Sequence, residues 1–473
     1  MIKARRLAGD AAATEFVGAD LGDARLDRRL VAMVERLAAE PDASLPVALG
    51  TSAELEAGYR FLRNRAVSAA ALLKPHIDAT VRRASLHDEV LAVHDLTEFR
   101  FEGSRTDLGD LGRSGHGFLG HFTLAVTLDA RRDVLGVLAL ETWARTEATP
   151  TGLRRAKKLT ISEALQLPNE QDRWLRGVEA ATRQVGPGSS LIHVMDSEAD
   201  DYDLMSKLVA GERRFVIRLC YDRVLAAASK GEKTKSIVAE REVMCSRGVR
   251  ISARGCRPGG LQRKRAVPRP ARLAKLAISA CQVTFRRPHN FPNAPAILPV
   301  NIVSAREIDP PADQQPVEWL LITTEPIDTE ENVLKVIDCY RARWRIEEFF
   351  KALKTGCAIE KRQLESMHTL RNGLALFVPI AWTLLRLRTA SRLPESVAAS
   401  EILERDEITV LRKIAEKPLS AEPSASEVML AIARLGGHLH SNGDPGWLVL
   451  GRGYEKLLAT VAGYRLALSD QKK

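Results

Sequence analysis

The chain has 473 residues, 45% hydrophobic and 27% charged, and carries a net charge of +10. That length allows two or three domains with substantial cores, and the composition is that of a folded globular protein. No run of about 18 uncharged apolar residues occurs; the best stretch, Leu374 to Leu387, is too short and meets Arg386 and Arg388. A membrane span is therefore not expected, nor is export, because no apolar leader with a small-residue cleavage site opens the chain. The 6 cysteines include no CxxC pair, which argues against a disulfide framework and a structural zinc site and points to reduced thiols in the cytoplasm.

The charge is concentrated. Residues 241 to 290 hold thirteen Lys/Arg, among them Arg263, Lys264 and Arg265, against the single acid Glu242, so the rest of the chain is slightly acidic. Such a segment suits a polyanion groove, since neutralising phosphates releases counterions; a solubilising loop is the bland alternative.

In chain order, residues 1 to about 70 read as helices. Leu26, Leu30, Met33, Val34 and Leu37 follow the helical period, with Arg25, Arg28 and Arg29 crowding the first turns and Arg60 and Arg63 flanking Phe61 further on. From about residue 88 the pattern becomes β. Val90 to Val93 runs into His94-Asp95, and Phe122 to Leu128 and Val134 to Leu140 flank a hairpin signature at Asp129 to Asp133. A helical stretch, Asp172 to Val185, leads to a second apolar run, Leu191 to Met195, that ends at Asp196. Strand, hairpin, helix, strand, with an aspartate closing the first and last strands, predicts a ribonuclease-H-like α/β core. Residues 212 to 326 read as a β-rich basic insertion, with strand-like runs at Phe215 to Leu219, Ala277 to Phe285, Ala296 to Val303 and Trp319 to Thr323. Arg254 to Pro270 reads as an exposed loop. After Glu330 the chain turns helical, and from 372 to 473 it reads as a separable helical region.

The segment Tyr340 to Lys354 carries the most chemistry. At about 100° per residue, one helix would place Tyr340, Arg343, Glu347, Lys351 and Lys354 on one face, with Ala342, Ile346, Phe349, Phe350 and Leu353 opposite. A lone carboxylate among cations suits a metal ligand beside phosphate-gripping residues, although a solvated helix face has the same pattern. Asp95 and Asp196 favour the first reading: carboxylates at the ends of apolar strands are costly to bury unless paired or metal-bound. Singly, each also fits a turn or helix cap. Three such carboxylates suit Mg²⁺, for which Mn²⁺ can substitute, and two ions per site serve in-line phosphoryl displacement. His94, His193, His438 and His440 read as structural or supporting residues. Strand alternation turns His94 away from Asp95.

The spacing of Tyr340, Arg343, Glu347 and Lys354 matches the signature of the IS-four group of bacterial insertion-sequence DDE transposases, which includes the enzyme of the composite kanamycin-resistance transposon (Tn-five). Asp95 in His-Asp-Leu-Thr, Asp196 in Asp-Ser-Glu-Ala-Asp, and the segments 21–23, 58–64 and 431–437 also resemble that family, over nearly the whole chain. The resemblance implies that Asp95, Asp196 and Glu347 hold the metals while Tyr340, Arg343 and Lys354 grip phosphates of the transposon end. It implies that residues 1–70 bind double-stranded inverted-repeat DNA, 71–371 form the catalytic domain, and 372–473 form the helical region that makes the homodimer. Trp319 matches the tryptophan on which a flipped base stacks, though Trp319-Leu-Leu-Ile by itself reads as core. Where the close relative has arginine after the second aspartate, this chain has Ser197. A DNA-binding protein without catalysis and a nuclease that does not join ends are the competing readings.

Overall fold

Strand alternation sorts the central side chains onto two faces, and both faces are covered by helices. In this computed structural model residues 12–470 are described, apart from 104, 106, 112–114, 146–169, 187–189, 227–231, 252–269, 313, 440 and 442. The N-terminal region is helical: α1 (Ala24–Ala39), α2 (Leu45–Leu49), α3 (Ser52–Arg63) and α4 (Ala69–Ala84). Asp23, Thr51 and Ser68 cap α1, α3 and α4 through side-chain oxygens that accept early backbone N–H groups.

The sheet begins with β1 (Glu89–Arg100), a two-residue β2 (Gly109–Asp110), β3 (His116–Thr127) and β4 (Val134–Trp143). β3 pairs antiparallel with both β1 and β4, and the β3–β4 reversal falls at the expected hairpin. After helix α5 (Asp172–Val185), strand β5 (Ser190–Met195) joins β1 in parallel. Helix α6 (Tyr202–Ala210) then leads to β6 (Arg214–Arg218), which is parallel to β5. The order β4-β3-β1-β5-β6, with only β3 reversed between its neighbours, is the ribonuclease-H-like core read from the sequence.

Beyond β6 come α7 (Thr234–Ala239), β7 (Cys245–Ile251), β8 (Arg272–Arg286), β9 (Ile297–Glu307) and β10 (Glu318–Thr323). β10 pairs antiparallel with β6, and β9, β8 and β7 follow outward, so the β-rich insertion extends the core sheet. Because β6 is a core strand, the insertion begins after Arg218 rather than at 212. The expected loop at 254–270 lies almost wholly outside the described residues, as do Arg263, Lys264 and Arg265.

The chain returns through α8 (Glu330–Ala342) and α9 (Trp344–Lys351) to α10 (Met367–Ala390), then α11 (Arg405–Ile414), α12 (Ala425–Leu435) and α13 (Trp447–Asp470). α10 is long and apolar enough to cross a membrane, but it is mostly buried as a core helix. Its first half packs with the catalytic sheet and the N-terminal helices, whereas Leu387 and Ala390 join the core of α11–α13. The expected boundary at 371/372 therefore falls inside one helix. Buried Asn372 donates to the carbonyls of Leu62 and Val67, both at 3.0 Å, and Trp382 Nε1 donates to Val134 O at 2.7 Å. One glycine is required by packing: a Cβ on Gly136 (φ +143°) would stand 2.0 Å from Thr80 Oγ1, so only glycine lets α4 approach β4 this closely.

On the α9 side of the sheet, fully buried Phe349 meets Phe122 edge-on at 5.6 Å between ring centroids, and Phe122 is the register partner of Asp95. Phe349→Ala is expected to destabilise the protein by about 3–5 kcal/mol, lowering its melting midpoint in a thermal unfolding experiment. A midpoint within one degree or so of wild type would mean that this contact does not hold α9 on the sheet.

Candidate active site

Two adjacent parallel strands bring the aspartates together. Val93 of β1 lies opposite Val194 of β5, so Asp95 and Asp196, each two residues on, leave this pairing at the same level. They share the sheet face of Leu91, Val93 and Val194, against which α9 packs. The expected strand end at Asp95 is an interior position, for β1 continues to Arg100 on β3; only its pairing with β5 stops before the aspartate.

The segment 340–354 is not one helix. α8 ends at Ala342, Arg343 occupies the junction, α9 follows, and a π turn spans Ala352–Gly356. The helix is interrupted at both places, yet Arg343 still meets Glu347 four residues on and lies close to Tyr340. Tyr340 is buried and meets Trp319 edge-on at 5.8 Å, with Trp319 half-buried in β10. Lys351 is exposed. Lys354 reaches back to β1, donating to the carbonyl of Glu98, and stands 3.6 Å from Glu360 and 5.4 Å from the Phe99 ring centre. Burial lowers its pKa from the ordinary lysine value.

Arg343 is the hub of the site. Its side chain is 14% exposed, and its Nη1 donates to Asp95 Oδ2 at 3.2 Å and its Nη2 to Glu347 Oε1 at 3.4 Å. Burial opposes its charge, but Tyr340, Asp95, Asp196 and Glu347 together hold its pKa above the ordinary value. Asp95 is in the opposite position: burial raises its pKa to about 7, Arg343 pulls against that, and Asp196 and Glu347 push it further up. Asp196 Oδ1 accepts from Glu198 N–H at 2.8 Å, capping the short turn Ser197–Ala199. The cap reading and the site reading of Asp196 are thus compatible, since one carboxylate serves both.

This donor set fits a hard divalent cation. One guanidinium faces three carboxylates, and Asp196 and Glu347 add to the burial that raises the pKa of Asp95. Asp95, Asp196 and Glu347 are the residues that would hold the ions. Among the described residues no three acidic, histidine or cysteine side chains stand together as a ready metal cage; the Glu347 side chain is 42% exposed and that of Asp95 14%.

Arg173, at the start of α5, was not legible as part of the site. Its buried guanidinium donates to Glu170 O at 2.9 Å and to Glu198 Oε2 at 3.1 Å, while its Nε has no hydrogen-bond partner. Burial lowers its pKa, and Glu198, Glu170 and Asp196 oppose that. A cation from another element therefore stands beside the Asp196 turn, where the sequence has Ser197. Spacing offers no signal for it, because the contact joins α5 to a turn across the sheet.

Behind the aspartates, His94 Nε2 and His193 Nδ1 lie 2.9 Å apart and Thr123 Oγ1 is 3.0 Å from His94 Nδ1. His121 completes this buried layer against α5, 5.0 Å from the Trp174 ring. Burial lowers all three histidines, His121 and His193 to about 3, so they pack as neutral rings. His438 is also buried, and His440 lies outside the described residues.

Among the other cations singled out, Arg25 pairs with Asp23 at 2.8 Å, Arg29 with Glu54 at 2.5 Å and Arg63 with Glu365 at 2.8 Å. Arg28 and Arg60 are exposed. All five lie on the N-terminal helices, away from the carboxylates in sequence and element, and Arg63 bridges to the segment before α10.

Comparison with known proteins adds to this geometry. Residues 8–67 match the family described as Transposase DNA-binding, and residues 175–380 match the Transposase DDE domain. Asp196, Arg343, Glu347 and Lys354 fall inside the second match and Asp95 precedes it. Among solved structures the chain is similar to a piggyBac transposase in a cryo-EM synaptic complex with hairpin DNA. Identity is 10%, the TM-score is 0.30, and the match covers 67% of this chain and 49% of that one. The chain thus spans about half the length of that transposase, and a likeness of this degree carries no argument about the site.

Because the folded pKa of Asp95 lies above its unfolded value, folding favours the neutral acid. That contribution is complete below about pH 4 and is lost as pH rises through about 7. Metal-free wild type is therefore expected to lose stability, on the order of a few kcal/mol, between pH 5 and pH 8 through this group. Asp95→Asn should remove that part of the pH dependence and raise the melting temperature at pH 8; identical pH profiles for the two proteins would refute the burial argument.

Proposed function

We propose that this chain, which carries the DNA-binding and DDE domains of a DNA transposase, is a cut-and-paste enzyme resembling the IS-four group and its Tn-five member. The observation that carries the reading is Arg343, which donates to both Asp95 and Glu347 beside Asp196, just past where the pairing of the parallel strands β1 and β5 stops. The proposed acts are nicking at the transposon end, hairpin formation and opening, and strand transfer into target DNA.

Mg²⁺ or Mn²⁺, as two ions on the three carboxylates, would supply an activated oxygen nucleophile and a stabilised leaving oxygen for in-line displacement. The chain's own residues do the rest. Asp95 and Asp196 present oxygens from fixed strands, and Glu347 closes the set from the more exposed helix. Arg343 holds the Asp95 and Glu347 carboxylates in place, and its planar fork would suit a backbone phosphate beside them. Lys354, anchored on β1, is placed to offer a point charge to the strand beyond Asp95. Trp319 presents an aromatic face supported by Tyr340, suited to stacking an extruded base. Residues 1–70 would recognise the inverted repeats, 71–371 catalyse, and 372–473 support a homodimer that synapses two ends. The protein would work in the bacterial cytoplasm, associated with the nucleoid when on DNA, and without a membrane partner.

Purified protein incubated with labelled DNA carrying the repeats that flank its gene is expected to give Mg²⁺-dependent nicks and hairpins. Glu347→Ala should reduce cleavage to background with end binding retained. Near-normal cleavage by this variant would sink the assignment, and wild-type binding without cleavage would favour a non-catalytic DNA-binding protein. Trp319→Ala should leave the first nick intact and weaken hairpin formation by about 1–3 kcal/mol, the contribution of one base–aromatic stack; equal loss of both steps would assign Trp319 to the core.

A further inference from the structure

A second basic site lies outside the carboxylate cluster. Asp338, on α8, accepts from three guanidinium groups: Arg132 at 2.8 Å, Arg247 at 2.6 Å and Arg341 at 2.9 Å. They come from the β3–β4 hairpin, from β7 of the insertion, and from α8 itself. Three cations on one anion leave a surplus of two charges, and each of these side chains retains solvent access, 18%, 33% and 21% respectively.

The cluster is built rather than incidental. Arg132 holds a left-handed backbone (φ 51°) at the hairpin, a conformation uncommon outside glycine. Arg345 of α9 fixes that backbone by donating to the carbonyls of Arg131 at 2.6 Å and Arg132 at 3.0 Å. Burial first, then the neighbouring Arg341 charge, lowers the Arg132 pKa from its ordinary value, while Asp338 opposes both. An added anion relieves such crowding.

Its distance from the carboxylates suits one continuous ligand. Asp338 precedes Glu347 by nine residues, with the α8–α9 junction at Arg343 between them. On the sheet, the hairpin follows Thr127, which pairs with Val90, five rungs before the Asp95–Phe122 pair, or roughly 17 Å. Successive phosphates on one strand of a duplex advance about 3.4 Å along the axis, so four or five nucleotides bridge the two places.

We propose that Arg132, Arg247 and Arg341 around Asp338 form a backbone-phosphate site for duplex DNA running from the carboxylate cluster towards the insertion. This rests on the reading of the chain as a DNA-processing protein, and its contacts are to phosphate, hence independent of sequence.

The test is duplex binding by fluorescence anisotropy in EDTA, across a series of NaCl concentrations, with and without the inverted repeats. Arg247→Gln and Arg341→Gln should each reduce the slope of log K against log salt by about 0.9, equally on both duplexes. Asp338→Asn should act in the opposite direction, giving tighter binding and a steeper slope, because it frees guanidinium donors. A purely structural ion cluster predicts instead that Asp338→Asn lowers the melting temperature and leaves the slope unchanged or reduced, and that result overturns the proposal. Arg247→Lys, which keeps the charge, should restore the slope even where Arg247→Gln lowers stability; failure to do so also counts against it. Wild type that binds neither duplex would overturn the DNA-processing reading itself, whereas wild type that binds and cleaves with unaltered slopes in the variants would overturn this site alone.

Discussion

A buried carboxylate on a central strand is the constraint around which the rest is organised. Asp95 sits where apolar packing would favour a neutral side chain, beside Asp196 and within reach of Glu347. Arg343 relieves part of that cost from the junction between α8 and α9. The break, the guanidinium and the three carboxylates form one electrostatic unit, and α9 is held to it from below by Phe349 and Phe350 on Phe122.

The scaffold keeps that unit in register with the rest of the molecule. N-terminal helices, catalytic sheet and the first half of α10 share one apolar core. Buried Arg362 donates to the carbonyls of Pro41, Ala43 and Cys357, and Asn372 ties α10 to the segment after α3. A DNA end held by the N-terminal helices would therefore meet the carboxylates at a position set by packing, not by a flexible linker. Covalent continuity of α10 extends the same rigidity to α11–α13.

Much of this was legible in the residues because local chemistry and global fold agree. The apolar runs into Asp95 and Asp196, the hairpin at Asp129 to Asp133 and helix α5 all lie where periodicity placed them. What escaped depended on three-dimensional context. β6 reads like the first strand of an insertion, since nothing in Arg214–Arg218 records that its partner is β5. The break at Arg343 has no glycine or proline to announce it, and the π turn at Ala352 is equally silent. Arg173 and the Asp338 cluster are contacts between elements distant in sequence, for which spacing carries no information. Tyr340 and Trp319 hold each other edge-on, and Trp319 packs against the core without being fully buried.

The most direct test of the central claim replaces one carboxylate oxygen donor with a thiolate. Asp196→Cys should lose cleavage of the transposon end in Mg²⁺, which binds sulfur poorly, and regain it in Mn²⁺, which accepts softer ligands more readily. Recovery in Mn²⁺ would identify Asp196 as a metal ligand in the reaction. Failure to recover, by a variant that still folds and binds the end, with wild type active in both metals, would contradict the three-carboxylate centre described for this chain.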